Sequence, residues 1–158
     1  MKMFKHIFAY RNTELYILTL STFINISEAS TIALHSLALI ANSKKNLNAN
    51  QIALITKFSK NHLAKVLNIL VRHKYLVSER GPKGGFILKS DPAMISLLEI
   101  YELIEGELKS FECAITCSDC YFETCLFGNY PHAFSGDFKK YLQSKTLNDF
   151  KLNKEIAL

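Results

Sequence analysis

The sequence predicts a mainly α-helical protein with one small β-hairpin, organised as a winged helix-turn-helix region followed by a long C-terminal helix. Three observations favour this fold class: two short helical patterns separated by a brief break, a Gly/Pro turn between two β-prone runs, and a final amphipathic stretch that could pack on another subunit. The chain has 158 residues, of which 49% are hydrophobic and 21% charged. This length and composition suffice for a domain with a real core.

The first half of the chain carries three helical patterns. Apolar residues at helical spacing predict a first core helix over Ser27 to Ala41. A second helix is expected after Asn48, because an Asn followed three residues later by Gln51 can satisfy the free amides of a first turn. After a break at residues 56–58, Ser59 is expected to cap a third helix. Two short helices joined by about three residues predict a helix-turn-helix.

A β-hairpin is predicted directly after these helices. Residues 75–79 and 86–89 are β-prone, and the sequence between them is Arg-Gly-Pro-Lys-Gly-Gly. Its glycines permit backbone torsions that residues with a Cβ resist. A hairpin that follows a helix-turn-helix is a wing.

Two more helices are predicted in the second half. Ser96 and Glu99 form a further capping box, and Gly106 supplies a C-terminal stop, so residues 96–105 are predicted to be helical. Residues 134–150 carry apolar side chains compatible with an amphipathic helix.

The charges are separated along the chain. Between residues 42 and 90 there are ten Lys and Arg against one acid, Glu79, whereas between residues 91 and 125 there are eight acids against Lys109. Such asymmetry suggests that one face meets a polyanion and another does not.

The third helix and the wing are the candidate DNA-reading elements, since a helix in the major groove needs short polar side chains near its N-terminus and cations around it. Asn61 could pair with an adenine edge, and the amides at the start of the helix could bind a phosphate. Glycines at the wing would let its backbone approach the minor groove. The candidate DNA-binding residues are Lys57, Ser59, Lys60, Asn61, His62, Lys65, Arg80, Lys83 and Gly84.

Residues 76–88, with the sequence LVSERGPKGGFIL, resemble the wing signature of the Rrf2 family of bacterial transcription regulators. The resemblance continues at residues 95–100, 104–106 and 146–149. It implies a homodimer that reads a two-fold symmetric operator in double-stranded DNA. The expected division is an N-terminal extension over residues 1–25, the winged helix-turn-helix over residues 26–90, and the cysteine loop with the dimerisation helix over residues 91–158.

Four cysteines lie within thirteen residues, as Cys113-x3-Cys117-x2-Cys120-x4-Cys125. Thiolates so close together repel one another unless a cation or a bond relieves the charge, so the cluster is a metal-site candidate. A single CxxC unit flanked by single cysteines favours an iron-sulfur cluster, [2Fe-2S] or [4Fe-4S], over structural zinc.

The family resemblance points to the same cofactor, because cluster-binding members carry three cysteines in this loop. Cys113, Cys120 and Cys125 come nearest to that spacing, and the fourth ligand is left open between Cys117, an acid, His132 and a residue of a second subunit. Zinc binding, a metal-free thiol redox switch and an electron-transfer or cluster-delivery protein remain alternatives.

Several classes of protein are disfavoured. The apolar run at residues 16–26 is shorter than the ~20 residues that span a bilayer and carries no secretion signal, so we expect no membrane partner and a reducing cytoplasm. The sequence has no nucleophile elbow or phosphate-cradling loop, so we expect neither an enzyme nor a small-molecule substrate.

Overall fold

Five α-helices and one two-stranded antiparallel sheet follow one another in the part of the chain that the computed structural model describes, namely residues 24–81, 84–109, 113, 115 and 118–153. This composition confirms the predicted mainly α fold with one hairpin. The N-terminal extension at residues 1–23 lies outside the described residues. The elements are α1 (Glu28–Ala41), α2 (Ala49–Thr56), α3 (Lys60–Arg72), β1 (Leu76–Glu79), β2 (Gly85–Leu88), α4 (Leu97–Glu105) and α5 (Tyr130–Ser144).

Two of the predicted helix caps are confirmed in full. Asn48 Oδ1 accepts a hydrogen bond from Gln51 N at 3.0 Å while Gln51 Oε1 accepts one from Asn48 N at 2.9 Å. Ser96 and Glu99 form the same reciprocal pair at the start of α4. The predicted stop is also present, since Gly106 ends α4 with a φ of 86° that favours glycine.

The prediction that Ser59 caps the third helix is confirmed for its position but not for a side-chain hydrogen bond. Ser59 does precede α3, and its carbonyl accepts a hydrogen bond from Leu63 N at 2.8 Å, but its hydroxyl makes no capping bond. The residue is exposed, so water can satisfy the free amides of the first turn without the side chain.

The last helix differs from its predicted bounds of residues 134–150. It begins earlier, at Tyr130, where Pro131 suits the first turn of a helix. It ends at Ser144 because Lys145 is extended, and the Lys145 carbonyl accepts a hydrogen bond from Leu97 N at 2.9 Å. Thr146 then starts a short 3-10 turn, Leu147–Asp149, through its own capping box with Asp149.

The core is built by the apolar faces of the helices around α1 and α3. α1 contacts α2, α3 and α4, and β2 also lies against it. Full burial of one large aliphatic side chain stabilises a fold by about 1.5–3 kcal/mol, so this core fixes how each helix is rotated about its axis. The large side chains with almost no exposure include Ile32, Leu37, Leu47, Ile52, Leu63, Leu67, Leu70 and Ile100.

None of the helices in the described ranges has the length and apolar content needed to cross a membrane.

A polar junction joins the C-terminal end of α4 to the N-terminal end of α1. The Glu105 carboxylate accepts hydrogen bonds from Ser27 N at 3.0 Å, from Ser27 Oγ at 2.5 Å and from Asn25 Nδ2 at 2.7 Å. Tyr101 Oη donates to the Asn25 carbonyl at 2.7 Å. Burial raises the pKa of Glu105, but the hydrogen bonds from Ser27 and Asn25 outweigh it and hold that pKa below its ordinary value. The two helix ends are therefore held together by an ionised carboxylate.

We predict that this junction makes the stability of the protein depend on pH. A carboxyl whose pKa is lower in the folded than in the unfolded protein stabilises the fold above its unfolded value, here 4.5, and loses that contribution as the pH falls through its folded value. Urea unfolding at several pH values measures the free energy of unfolding. Below pH 4.5 this free energy should fall less steeply with falling pH in Glu105→Gln than in the wild type. The control is Glu107→Gln, in an exposed acid just after α4. Equal pH profiles for wild type and Glu105→Gln would contradict the prediction.

Candidate nucleic-acid interface and cysteine loop

α3 has one buried face and one exposed face. Leu63, Val66, Leu67 and Leu70 are buried in the core. Because these positions recur every three or four residues, the opposite side of the helix is turned to solvent. That side is polar and basic, as a surface that meets DNA requires. The exposed residues at and near the start of α3 are Ser59, Lys60, Asn61, Ala64, Lys65 and Asn68.

The turn between α2 and α3 has the predicted length of three residues. Lys57 occupies the left-handed region with a φ of 64° and donates its amide to the Ala53 carbonyl at 2.9 Å, which closes the end of α2. Phe58 is partly buried against the core, and its ring meets the His35 ring edge-on at 6.2 Å. The packing of Phe58 on the core thus holds the turn in place. Lys57 is exposed and precedes the first residue of α3 by three positions.

His62 is the one predicted DNA-binding residue on α3 that the structure ties to another helix. Its Nδ1 lies 3.3 Å from Oε2 of Glu28, in the first turn of α1. The sequence patterns did not identify Glu28, because the two residues are far apart in the chain and only the tertiary fold brings them together. His62 has Nε2 left to contact DNA.

The turn of the wing requires glycine. Gly84 N donates to the Gly81 carbonyl at 2.9 Å, and Gly81 has a φ of 113°. A Cβ at position 84 would collide with the backbone carbonyl of Glu79, which cannot easily move because Glu79 is paired with Gly85 in the hairpin. Arg80 is exposed at this turn, whereas Lys83 lies outside the described residues.

The wing is held, at the end next to its turn, by a segment that the sequence did not predict to pair. Phe86 N donates to the Leu47 carbonyl at 2.9 Å, which forms an isolated antiparallel bridge beside β2. Asn46 Nδ2 also donates to the Glu79 carboxylate at 3.1 Å. These contacts attach the hairpin to the segment just before α2, so the wing and the helix-turn-helix are held together.

Three of the four cysteines lie among the described residues between α4 and α5. Cys113 and Cys125 are exposed, Cys120 is partly buried, and all three are free thiols. Cys117 lies outside the described residues. Within the described ranges, no three His, Cys, Asp or Glu residues are grouped closely enough to hold a metal ion, and His132 is exposed in the first turn of α5. The metal site therefore remains a prediction.

The segment is anchored where it leaves α4. Leu108 is buried, and its amide donates to Glu102 Oε1 at 3.2 Å while its carbonyl accepts from Lys139 Nζ at 3.5 Å. Lys139, on α5, also lies 3.4 Å from the same Glu102 oxygen. Both backbone groups of Leu108 are thus satisfied by side chains from the helices on either side of the cysteine segment.

Comparisons with known proteins agree with this geometry. The family model described as Rrf2, iron-dependent transcriptional regulator, matches residues 26–152. A protein of Rhodopseudomonas palustris named as the HTH-type transcriptional regulator BadM is 44% identical over 69 residues, which are 44% of this chain and 44% of BadM. A protein of Aquifex aeolicus named as an HTH-type transcriptional regulator is 27% identical over 127 residues, covering 78% of this chain and 88% of that protein. These names agree with the expectation that the chain is not an enzyme.

Among solved structures, CymR, described as the global cysteine regulator of B. subtilis, superposes with a TM-score of 0.67. The superposition covers 80% of this chain and 95% of CymR at 23% sequence identity. At that identity the likeness concerns the fold, and it confirms the predicted winged helix-turn-helix class.

We predict that Gly84→Ala damages the wing selectively. The added Cβ must displace the backbone of Glu79 or Arg80, so the hairpin turn is expected to move and the affinity for DNA to fall. Gly136→Ala is the matched control, because a Cβ there meets nothing within 4 Å. Thermal unfolding and gel-shift titrations of both variants check this, and unchanged DNA affinity in Gly84→Ala would refute the role given to the turn.

Proposed function

Because the chain belongs to the Rrf2 family of iron-dependent transcriptional regulators, we propose that it binds operator DNA through α3 and the wing, and that an iron-sulfur cluster held by its cysteine segment changes this binding. The observation that carries the DNA-binding part is the division of α3 into a buried apolar face and an exposed face that bears Lys60, Asn61 and Lys65. A regulator of this kind acts on the chromosome, so the proposal places it in the cytoplasm.

The exposed residues of α3 divide into two roles in this proposal. Asn61 is short and lies in the first turn of the helix, where a side chain can reach an adenine edge in the major groove. Lys57, Lys60 and Lys65 surround it and are suited to phosphates, which position the protein without reading sequence. Arg80 extends the basic surface to the wing.

The cysteine segment fits a cluster by its chemistry and by its place in the fold. The thiols of Cys113, Cys120 and Cys125 are free and lie outside the buried core, so a cofactor could bind them without disturbing that core. We assign Cys113, Cys120 and Cys125 as ligands and leave the fourth position to Cys117, an acid, His132 or a residue of a second subunit. A bound cluster supplies charge and ligand geometry that change on oxidation, nitrosylation or loss. Thiolates released from ligation repel one another, so the segment then takes another conformation.

A metal-free thiol switch is the second candidate. The exposure of Cys113 and Cys125 favours it, because accessible thiols can be oxidised directly. Zinc is a further alternative for the same cysteines. An electron-transfer or cluster-delivery role is disfavoured by the family match and by the basic face of α3, which such a carrier does not need.

We also propose that α5 pairs two subunits. Tyr130, Phe134 and Tyr141 lie on one side of this helix and are exposed, Tyr130 by 85%. An adjacent face of the helix is buried, where Phe138 meets Tyr101 edge-on at 5.6 Å and Leu142 joins the core. A second copy that covers the exposed aromatic side would place two α3 helices on a two-fold symmetric operator.

Tyr141→Glu is expected to weaken the dimer, because a carboxylate in an apolar interface is desolvated without a partner. Gln143→Glu places the same acid on another side of α5 and should leave the dimer intact. Light scattering during size-exclusion chromatography measures both. A monomeric wild type, or an unchanged Tyr141→Glu dimer, would exclude this interface.

The DNA-binding residues can be separated by their kind of contact. Selection from a pool of random duplexes should yield an operator. Asn61→Ala should then cost about 1–3 kcal/mol and relax the sequence preference at one position, whereas Lys65→Ala should weaken all duplexes alike and reduce the salt slope by about 1. Lys140→Ala, an exposed lysine on α5, is the control. If no duplex is enriched, or if Asn61→Ala leaves the preference unchanged, this assignment fails.

The cofactor is tested by purification without oxygen, followed by an absorption spectrum and by counts of iron, sulfide and zinc per chain. Cys113→Ala, Cys120→Ala and Cys125→Ala should each lose iron, and Cys117→Ala shows whether that residue is the fourth ligand. Zinc in place of iron favours the zinc alternative. Metal-free protein whose DNA affinity responds to oxidant favours the thiol switch.

A further inference from the structure

The start of α1 contacts both α4, which leads into the cysteine segment, and α3, which carries the candidate DNA-binding residues. On one side, Ser27 donates both its amide and its hydroxyl to Glu105, in the last turn of α4. On the other side, the next residue, Glu28, lies 3.3 Å from His62 on α3. A single helical turn therefore touches the helix that leads into the cysteine segment and the helix that faces DNA.

The contact with Glu105 is specific for a carboxylate. Three donors converge on its two oxygens, namely Ser27 N, Ser27 Oγ and Asn25 Nδ2. Glutamine has nearly the same shape but carries no charge, and hydrogen bonds to an ionised acceptor are the stronger ones. The substitution therefore weakens the hydrogen bonds from Ser27 to this side chain while changing little in volume.

The contact with Glu28 orients the His62 ring. The Glu28 carboxylate lies beside Nδ1, so Nε2 is the ring nitrogen that is left for DNA. Neither residue belongs to the core, because 35% of the His62 side chain and 61% of the Glu28 side chain are exposed. The pair thus sets the position of a DNA-facing side chain and contributes little to stability.

α4 also holds the start of the cysteine segment. Glu102, one turn before Glu105, accepts the Leu108 amide and faces Lys139 of α5. Leu108 precedes Cys113 by five residues. A rearrangement of the cysteines that displaces Leu108 would therefore displace Glu102 and, with it, the C-terminal end of α4, where Glu105 lies.

We propose that Glu105 and Glu28 are positioning residues that transmit the state of the cysteine segment to the recognition helix. Glu105 sets the place of the first turn of α1, and Glu28, in that turn, sets the His62 ring on α3. When the end of α4 shifts, α1 moves with it as a rigid helix and His62 changes its position against DNA. This inference rests on the proposed function, since it names the route by which the cysteine segment affects operator binding.

The first experiment compares operator affinity in two states of the full-length protein, cluster-loaded without oxygen and cluster-free, on the duplex obtained by selection. The ratio of the two dissociation constants measures the coupling, which is about 5–150-fold in known allosteric proteins. Glu105→Gln should reduce the wild-type ratio to within about twofold of one while the cluster spectrum stays unchanged. Glu107→Gln, the same substitution in the exposed acid two residues later, should keep the wild-type ratio.

A double-mutant cycle tests the second contact without relying on the cluster. Glu28→Ala and His62→Ala alter exposed side chains, so both variants should fold. Each should weaken operator binding, by about two- to fivefold for Glu28→Ala, and Glu28→Ala should have no further effect when His62 is already Ala. Additive effects would show that Glu28 does not act through His62.

The outcomes separate the inference from the proposed function. A wild type that enriches no duplex, or that binds equally in both states, overturns the proposed function and the Glu105 part with it. A wild type that responds to the cluster while Glu105→Gln keeps the full ratio overturns only the inference. Loss of coupling in Glu105→Gln but not in Glu107→Gln, together with a non-additive cycle, supports it.

Discussion

Burial of one face of α3 is the constraint on which the rest of the structure depends. Leu63, Leu67 and Leu70 are almost fully enclosed, and turning the helix would expose side chains whose burial stabilises the fold by about 1.5–3 kcal/mol each. The rotation of α3 about its axis is therefore fixed by the core. Asn61 and Lys65 face outward as a consequence, so the DNA-facing surface is set by apolar burial and not by polar contacts of its own.

Polar groups, from the backbone at one place and from side chains at two, then join the elements around this core. The Leu47 carbonyl holds the wing, Glu105 holds the start of α1, and Glu102 with Lys139 holds the start of the cysteine segment. Two of these junctions lie at helix ends, where backbone groups lack partners within the helix itself, because Glu105 receives the Ser27 amide before α1 and Glu102 receives the Leu108 amide after α4. The fold thus satisfies its terminal groups with contacts that also connect the DNA-facing half to the cysteine-bearing half.

The charge distribution separates the same two halves. The stretch from residue 42 to residue 90 holds ten basic residues, and its one acid, Glu79, is engaged by Asn46 at the wing. The acids after residue 90 include Glu102 and Glu105, whose carboxylates accept hydrogen bonds from backbone amides of the same protein. In the proposed function, this separation of charge favours the approach of DNA to the basic half.

Local patterns were enough to predict much of this fold. The caps at Asn48 and Ser96 span three residues each, and the hairpin is marked by its own glycines, so both were predicted from short windows. The end of the last helix was not, because Lys145 leaves the helix to bond with Leu97, a residue distant in sequence. For the same reason no local pattern predicted the pairing of Glu28 with His62. The cysteine ligands remain a prediction, since spacing alone does not define a three-dimensional site.

In the proposed function, the state of the cysteine segment changes the affinity of the protein for operator DNA. The most direct measurement is operator affinity of one anaerobic preparation before and after its cluster is removed with nitric oxide, at constant salt. Our account predicts a change of about fivefold or more, which is lost in Cys113→Ala. An unchanged dissociation constant in protein that demonstrably gained and lost the cluster would contradict it.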